Sequence, residues 1–500
     1  LIPGAPEFFL NFFKILTASI INNPDQPVTT NIFYLPEMKP ARELRLFDLT
    51  IIMVSFVIGM GIFRTPVNVA GAVNSPFIFF SAWIVGGLIA ICGSLTYAEI
   101  GSRLPVTGGY YKVFSYAYHP SIAFAVNCII LVSNAASLGA VALVGAEYIT
   151  GIFIPNSQNA SWLLDPAHAS HIQTIQTGIA IASILIFFGV NLLGLKMSSR
   201  TQNVLTIIKV LMLILLISPL FFATGNATQS VLPVATNSPV LMEYLKSFGV
   251  GLVAVSFTYG GYQQTINFGE EVRNPQKTIP RSIFLGIIII IVLYLLINYA
   301  YVKVIGFDEL KTSKNIAAIM ASKVFGINAE RILSGLLFLS VLGYVNVLLL
   351  SNPRVMAAMS DDKILPPSFK KRHIKTQALT TSLSVFAGMC ILIIFWAKTF
   401  DTILSFTIFL DCFGMVFSSA SIFILRKKTK SLDNTGIYMM KLYPLLPLIF
   451  IAAYTFVGIS IAVDYKNNNY AALIGLSVLA AFMIIYFIAH ALGLRKEIKK

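Results

Sequence analysis

Apolar runs of about twenty residues, separated by short clusters of charge, follow one another along this chain from residue 47 to residue 493. At about 1.5 Å of rise per residue, each run is long enough to cross roughly 30 Å of hydrocarbon as a helix. The ten-residue alternation of a membrane barrel is absent, and an open sheet would leave backbone groups unpaired in lipid. The pattern predicts twelve helical spans, at 47–71, 77–100, 121–151, 172–194, 201–224, 243–268, 281–306, 330–356, 377–397, 400–425, 441–463 and 470–493. The expected fold class is an all-α polytopic membrane protein.

Composition sharpens that picture. Of the 500 residues, 56% are hydrophobic and 11% are charged, against about 25% charged in a soluble domain. Mean hydropathy is +0.79. The net charge of +15 does not mark a nucleic-acid partner, because basic residues beside spans set membrane topology. With the N-terminus placed inside, 26 Lys and Arg fall on the inner side and 8 outside, while Arg64 and Lys209 lie within spans. Both termini are therefore expected on the cytoplasmic side of a cell membrane. Cys92, Cys128, Cys390 and Cys412 all lie in apolar spans without CxxC or Cys/His spacing. They read as packing residues, not as staples or metal ligands.

Residues 1–37 read differently from the rest. The chain begins at Leu1, the apolar stretch Phe8–Ile21 is too short to span, and Met38-Lys-Pro-Ala-Arg reads as a natural start. The expectation is an upstream extension or expression artefact, against the alternative of an interfacial amphipathic helix. Enzyme readings find little support. His119, His168, His171, His373 and His490 lie in loops or near span ends, and no nucleophile motif, phosphate loop or buried carboxylate pair stands out. No cofactor is implied.

Two spans carry paired glycines at mid-depth. The first reads Val57-Ile58-Gly59-Met60-Gly61-Ile62-Phe63-Arg64-Thr65-Pro66, and the sixth reads Phe257-Thr258-Tyr259-Gly260-Gly261-Tyr262-Gln263-Gln264. They lie about 200 residues apart, which suits a five-plus-five duplication followed by two extra helices. The corresponding divisions are 38–240, 241–427 and 428–500. Interrupted segments at matching places in two inverted halves point to a midplane binding site. A break frees N–H groups at one half-helix start, which attract a carboxylate, and C=O groups at another's end, which accept from an ammonium. A zwitterion one Cα wide fits between them.

Five stretches together resemble the amino acid–polyamine–organocation superfamily, and within it the L-type amino acid transporter-like and related bacterial permeases. They are Gly59–Pro66; Tyr97-Ala-Glu99-Ile-Gly-Ser-Arg103-Leu-Pro105-Val-Thr-Gly108-Gly109-Tyr-Tyr111; Lys209; Phe257 through Pro275; and Arg354 through Pro366. The resemblance covers about Arg42 to Pro366, and the last four helices agree in number only. It implies a broken-helix fold that moves an amino acid by alternating access. The amides around Gly59, Met60, Gly61 and Ile62 are then expected to hold the substrate carboxylate. Carbonyls near Ile58 and of Phe257, Thr258 and Gly260 are expected to hold the amino group, with Phe257 as an aromatic lid. Met60 stands where the family often has Ser or Thr, and Tyr262, expected with Phe257 at the gate, stands where it often has Trp, so the side-chain preference stays open.

The remaining charges supply candidates for gating and coupling. Lys209 lies nine residues past Arg200, about 13 Å into its span, where an ionisable group is a functional candidate by default. By resemblance its ammonium occupies the place where sodium-coupled relatives hold a cation, implying sodium independence with exchange or proton coupling. A purely structural Lys bridging carbonyls is the alternative. Arg64 needs a partner or water, with Asp411 and Glu147 as candidate partners; an Arg64–Asp411 pair is the outer-gate candidate, against the alternative of an Arg in a wet vestibule. Glu99 and Arg103 form an i,i+4 pair; by resemblance they belong with Glu270, Glu271 and Arg273 to the cytoplasmic gate, expected as a solvated ionic rim, with a proton site as the alternative. Asn134, Ser137 and Asn346 are candidates to face the cavity.

A neutral L-amino acid is the expected substrate, because no acidic residue neighbours either break in sequence. A cationic amino acid or polyamine exchanger is the runner-up, and a transporter-like sensor the alternative from another class. The loop between spans three and four contains no Cys, so no disulfide-linked heavy chain is expected. That missing Cys and the short termini suggest a bacterial source.

Overall fold

The computed structural model of the protein describes residues 43–59, 61–73, 75–153, 166–222, 241–313, 316–396, 400–429, 436–463 and 471–491. The expectations for residues 1–37 and for Met60 lie outside the described residues. The helices are α1 (Leu46–Val57), α2 (Gly61–Ala72), α3 (Pro76–Arg103), α4 (Gly109–Ala117), α5 (Pro120–Phe153), α6 (Pro166–Leu192), α7 (Leu195–Ile217) and α8 (Leu241–Tyr259). They continue with α9 (Pro275–Ile305), α10 (Ile316–Phe325), α11 (Ile327–Asp361), α12 (Thr380–Trp396), α13 (Phe400–Lys428), α14 (Leu445–Val463) and α15 (Ala471–Ala491). Among the described residues, nine helices are long and apolar enough to cross a membrane. The sixth, ninth and twelfth predicted spans correspond to α8, α12 and α15, of 19, 17 and 21 residues.

The boundaries follow local chemistry. Pro76 and Pro275 sit in the first turns of α3 and α9, where the missing N–H costs nothing. The Ser75 hydroxyl accepts from Ile78 N at 3.3 Å and caps α3. Pro166 starts α6 ahead of the expected 172, so His168 and His171 stand in its first turns instead of a loop. The short helices α4 and α10 went unpredicted, because neither carries a run of spanning length.

Packing pairs the elements in a regular way. The α3 helix lies against α9 and α8, while α1 lies against α9; α5 lies against α11 and α13, and α11 against α7. The extended residue Leu44 before α1 pairs with the strand-like end of the sixth span, through Leu44 N to Glu271 O at 3.0 Å and Arg273 N to Leu44 O at 2.9 Å. These contacts close the end of the bundle that carries most of the Lys and Arg, here called the basic end.

Candidate functional site

Both glycine pairs do interrupt their spans. α1 stops at Val57, Ile58 takes φ −75° and ψ 81°, and α2 restarts at Gly61. α8 runs to Tyr259, Gly261 takes φ +113°, and the chain continues in 3-10 turns over Tyr262–Asn267 and Gly269–Glu271. The two breaks face each other. A Cβ on Gly61 would sit 3.0 Å from the Thr258 Cγ2 and Oγ1, and a Cβ on Gly261 would sit 2.6 Å from the Phe56 carbonyl oxygen. Gly261 needs its glycine both for this approach and for its positive φ, while at Gly61 the contact is tight and the Thr258 side chain would have to give way to a methyl group.

A cavity of about 70 Å³ lies where they meet, room for roughly five to seven waters at 10–15 Å³ each. Gly59, Gly61, Phe257, Thr258 and Gly260 line it from the breaks, and Asn134, Ser137, Tyr344 and Asp411 from α5, α11 and α13. The Tyr344 ring covers Gly59 at 3.4 Å from its would-be Cβ, and the Tyr344 and Ser137 hydroxyls bond at 2.8 Å. Asn134 Nδ2 donates to Asn352 Oδ1 at 2.7 Å. Ser133 Oγ donates to Asp411 Oδ1 at 3.0 Å. The sequence-based premise that no acidic group stands near the breaks is corrected here: Asp411 is distant in sequence but shares their cavity.

Other expected residues fall elsewhere. Ile58 and Ile62 are fully buried behind the wall. The Phe257 carbonyl accepts from Gly260 N at 3.2 Å, and the Ile58 carbonyl accepts from Lys209 Nζ at 2.5 Å; each oxygen keeps a second lone pair. Tyr262 is fully buried against Tyr97, with ring centroids 5.9 Å apart, and does not line the cavity. Arg64 and Glu147 both act electrostatically on the Tyr148 hydroxyl, while Arg64 is not among the cavity-lining residues.

Asn346, expected at the cavity, instead belongs to a buried polar seam. Asn191 Nδ2 donates to Phe187 O and Asn346 Oδ1 at 2.8 and 2.9 Å. Asn346 Nδ2 donates to Ser198 O and Gln202 Oε1 at 3.2 and 2.7 Å. Gln202 Nε2 donates to Ser55 Oγ and Thr206 Oγ1 at 2.5 and 3.1 Å. Backbone carbonyls fix which amide atom is nitrogen in the first two, and so fix the third. The seam ends where Lys209 Nζ meets Ser55 Oγ at 3.4 Å.

Of the ionic groups expected as a solvated rim, Glu99, Arg103 and Glu271 have buried side chains, which corrects the expectation for them, while Glu270 and Arg273 are exposed. Glu99, 0% exposed, accepts from Arg103 Nε at 2.7 Å, from Arg426 Nε and Nη2 at 2.7 and 2.6 Å, and from Met440 N at 2.9 Å. The end of α13 and the segment before α14 cover the carboxylate. Glu271 takes Arg354 Nε at 2.7 Å, and Glu270 takes the Thr107 hydroxyl at 2.9 Å. Asn267 ties these turns together, accepting from Tyr110 N and donating to Gln264 Oε1 and Ser351 Oγ at 3.0, 2.8 and 3.0 Å. Among the described residues no group of three or more His, Cys, Asp or Glu could hold a metal ion.

Two broken helices meeting at a small cavity inside an apolar helical bundle define a membrane transport fold of the broken-helix kind. The chain matches the amino acid permease family over residues 44–488, and it belongs to that family. It is similar to the serine/threonine exchanger SteT of Bacillus subtilis (strain 168), at 28% identity over 441 residues that cover 87% of this chain and 95% of that one. It is also similar to the human large neutral amino acids transporter small subunit 2, at 25% identity over 461 residues, 89% of this chain and 80% of that one. A methylthioribose transporter of Bacillus subtilis (strain 168) is 26% identical over 424 residues, 82% of this chain and 86% of the relative.

Proposed function

We propose that the protein moves an α-amino acid across a cell membrane by alternating access, without sodium, as an exchanger or proton-coupled carrier. The observation that carries this reading is the mutual approach of the two breaks at one cavity. It leaves helix-start amides of α2 and helix-end carbonyls of α8 around a space suited to a small zwitterion. Lys209 supports sodium independence, since its ammonium already meets the Ile58 carbonyl that a bound cation would use. The helix pairing supports an inverted repeat of spans one to five and six to ten: α1 against α9 mirrors α8 against α3, and α11 against α7 mirrors α5 against α13. The charge asymmetry supports a cytoplasmic basic end with both termini on that side. The relatives' names, serine/threonine exchanger and large neutral amino acids transporter, support a neutral substrate, and the small cavity supports a short side chain.

A second reading, transport of a cationic amino acid, is favoured by Asp411 on the cavity wall. One experiment tests both. Protein in liposomes is given labelled serine, leucine or lysine in sodium-free buffer, with empty or preloaded vesicles, and with or without an inward proton gradient. Uptake of serine into preloaded vesicles alone is the exchanger result, and uptake into empty vesicles that needs the gradient is the symport result. Lysine preferred over serine replaces the neutral reading with the cationic one. Binding without flux of any amino acid turns the reading to a sensor.

A further inference from the structure

The turn between α6 and α7 presses against the loop that follows α11. A Cβ on Gly194 would sit 2.3 Å from the Thr376 carbonyl oxygen, and the loop closes on itself through His373 N to Ala378 O at 2.9 Å and Gln377 N to His373 O at 2.8 Å. Beneath this junction lies a pocket of about 30 Å³, walled by Asn191, Leu195, Pro353, Arg354, Arg372 and Leu383. Two guanidinium groups share one carboxylate there. Arg354 Nε holds Glu271 at 2.7 Å, whereas Arg372 Nη1 makes only long contacts, 3.5 Å to Glu271 Oε1 and 3.4 Å to Gln377 O. Among the described residues, Nε and Nη2 of Arg372 and Nη2 of Arg354 carry no hydrogen bond. The pocket holds an excess positive charge with donors left over.

Its surroundings point the same way. Lys196, Arg200, Lys371 and Lys375 are exposed around it, and no acidic residue occurs in 193–200 or 371–378. Among these cations three apolar side chains stand out from the surface: Leu193, Met197 and Ile374, at 59, 48 and 72% exposure. Topology-setting charge explains the exposed lysines. It does not explain unfilled guanidinium donors in a pocket, or apolar tips beside them. Cations at headgroup height with apolar groups just below are the requirements of an anionic membrane surface.

We propose that this pocket is a binding site for an anionic phospholipid, with the headgroup phosphodiester on Arg372 and Lys375 and the acyl chains against Leu193, Met197 and Ile374. The apolar tips favour a lipid over free phosphate. The site adjoins the basic-end closure, because the Glu271 that Arg372 shares is also the residue whose carbonyl pairs with Leu44.

The test is thermal unfolding of the delipidated protein in neutral detergent with added phosphatidylglycerol, phosphatidylcholine or inorganic phosphate. Phosphatidylglycerol should raise the midpoint by several degrees, and the other two should leave it unchanged. The double variant Ile374→Ser, Lys375→Gln, whose side chains make no described ion pair, should keep the lipid-free midpoint and lose at least half of the shift. Arg372→Gln should abolish the shift even though its own midpoint falls. Equal shifts from both lipids, or an undiminished shift in both variants, would overturn the proposal. A shift from inorganic phosphate alone would replace the lipid with a free anion.

Discussion

Lys209 and Asp411 are two charges deep in the same apolar bundle, and they live in opposite surroundings. Lys209 is 0% exposed and lies behind the first break, its ammonium on Ile58 O and Ser55 Oγ, at the end of a seam whose amides are all engaged. Asp411 is only partly buried and stands on the cavity wall; among the described residues it has one hydrogen-bond partner, Ser133. Sharing one bundle does not make them equal. A charge closed in by its own acceptors holds the backbone in place, while a charge on a cavity wall with acceptor capacity left over is available to a ligand.

Breaking that contrast starts with the largest effect. Lys209→Ala removes the ammonium from Ile58 and leaves a void, and should cost about 2–5 kcal/mol of unfolding free energy, read by denaturant titration in detergent, with uptake lost in vesicles. Retention of both would show that the sealed charge is dispensable. Gln202→Leu cuts the seam one step away, leaving the Asn346 amide short of an acceptor, and should cost about 1–3 kcal/mol in the same titration.

Asp411→Asn keeps the acceptor for Ser133 and should change stability by less than about 1 kcal/mol. If the cationic reading holds, it should lower lysine-over-serine selectivity about tenfold, equivalent to about 1.4 kcal/mol, measured by competition in preloaded vesicles. The smallest effect belongs to Tyr262→Phe. The Tyr262 hydroxyl is buried with no hydrogen-bond partner among the described residues, so its loss should shift the unfolding free energy by no more than about 0.5 kcal/mol. A larger loss of uptake than of stability there would assign Tyr262 a gating role.

Much of the fold was legible because crossing a membrane demands long apolar runs, and because Gly59, Gly61, Gly260 and Gly261 stand out in them. The Glu99–Arg103 pair was legible from its helical spacing. Other relationships were hidden for a physical reason. In lipid both the inner and outer faces of a helix are apolar, so no periodicity marks which side of α11 or α13 turns inward. Asn346 therefore could not be separated from the cavity, nor Asp411 brought to it, by pattern alone. The burial of Glu99 depends on Arg426, 327 positions away, and no local spacing encodes that. The 3-10 turns after Gly261 were equally invisible, because they are held by Asn267 reaching to Ser351 and Tyr110.

The reciprocal fit of Gly61 to Thr258 and of Gly261 to Phe56 has a mechanical consequence. A contact as close as Gly261 against the Phe56 carbonyl oxygen cannot slide without first separating, so under the proposed alternating access the crossing point would behave as a fulcrum. In that proposal the half-helices joined there would act as lever arms, and small rotations near the cavity would become displacements that grow with distance toward either membrane face. The bound molecule would then travel least of all the parts, while the doors at the two ends of the bundle travel most.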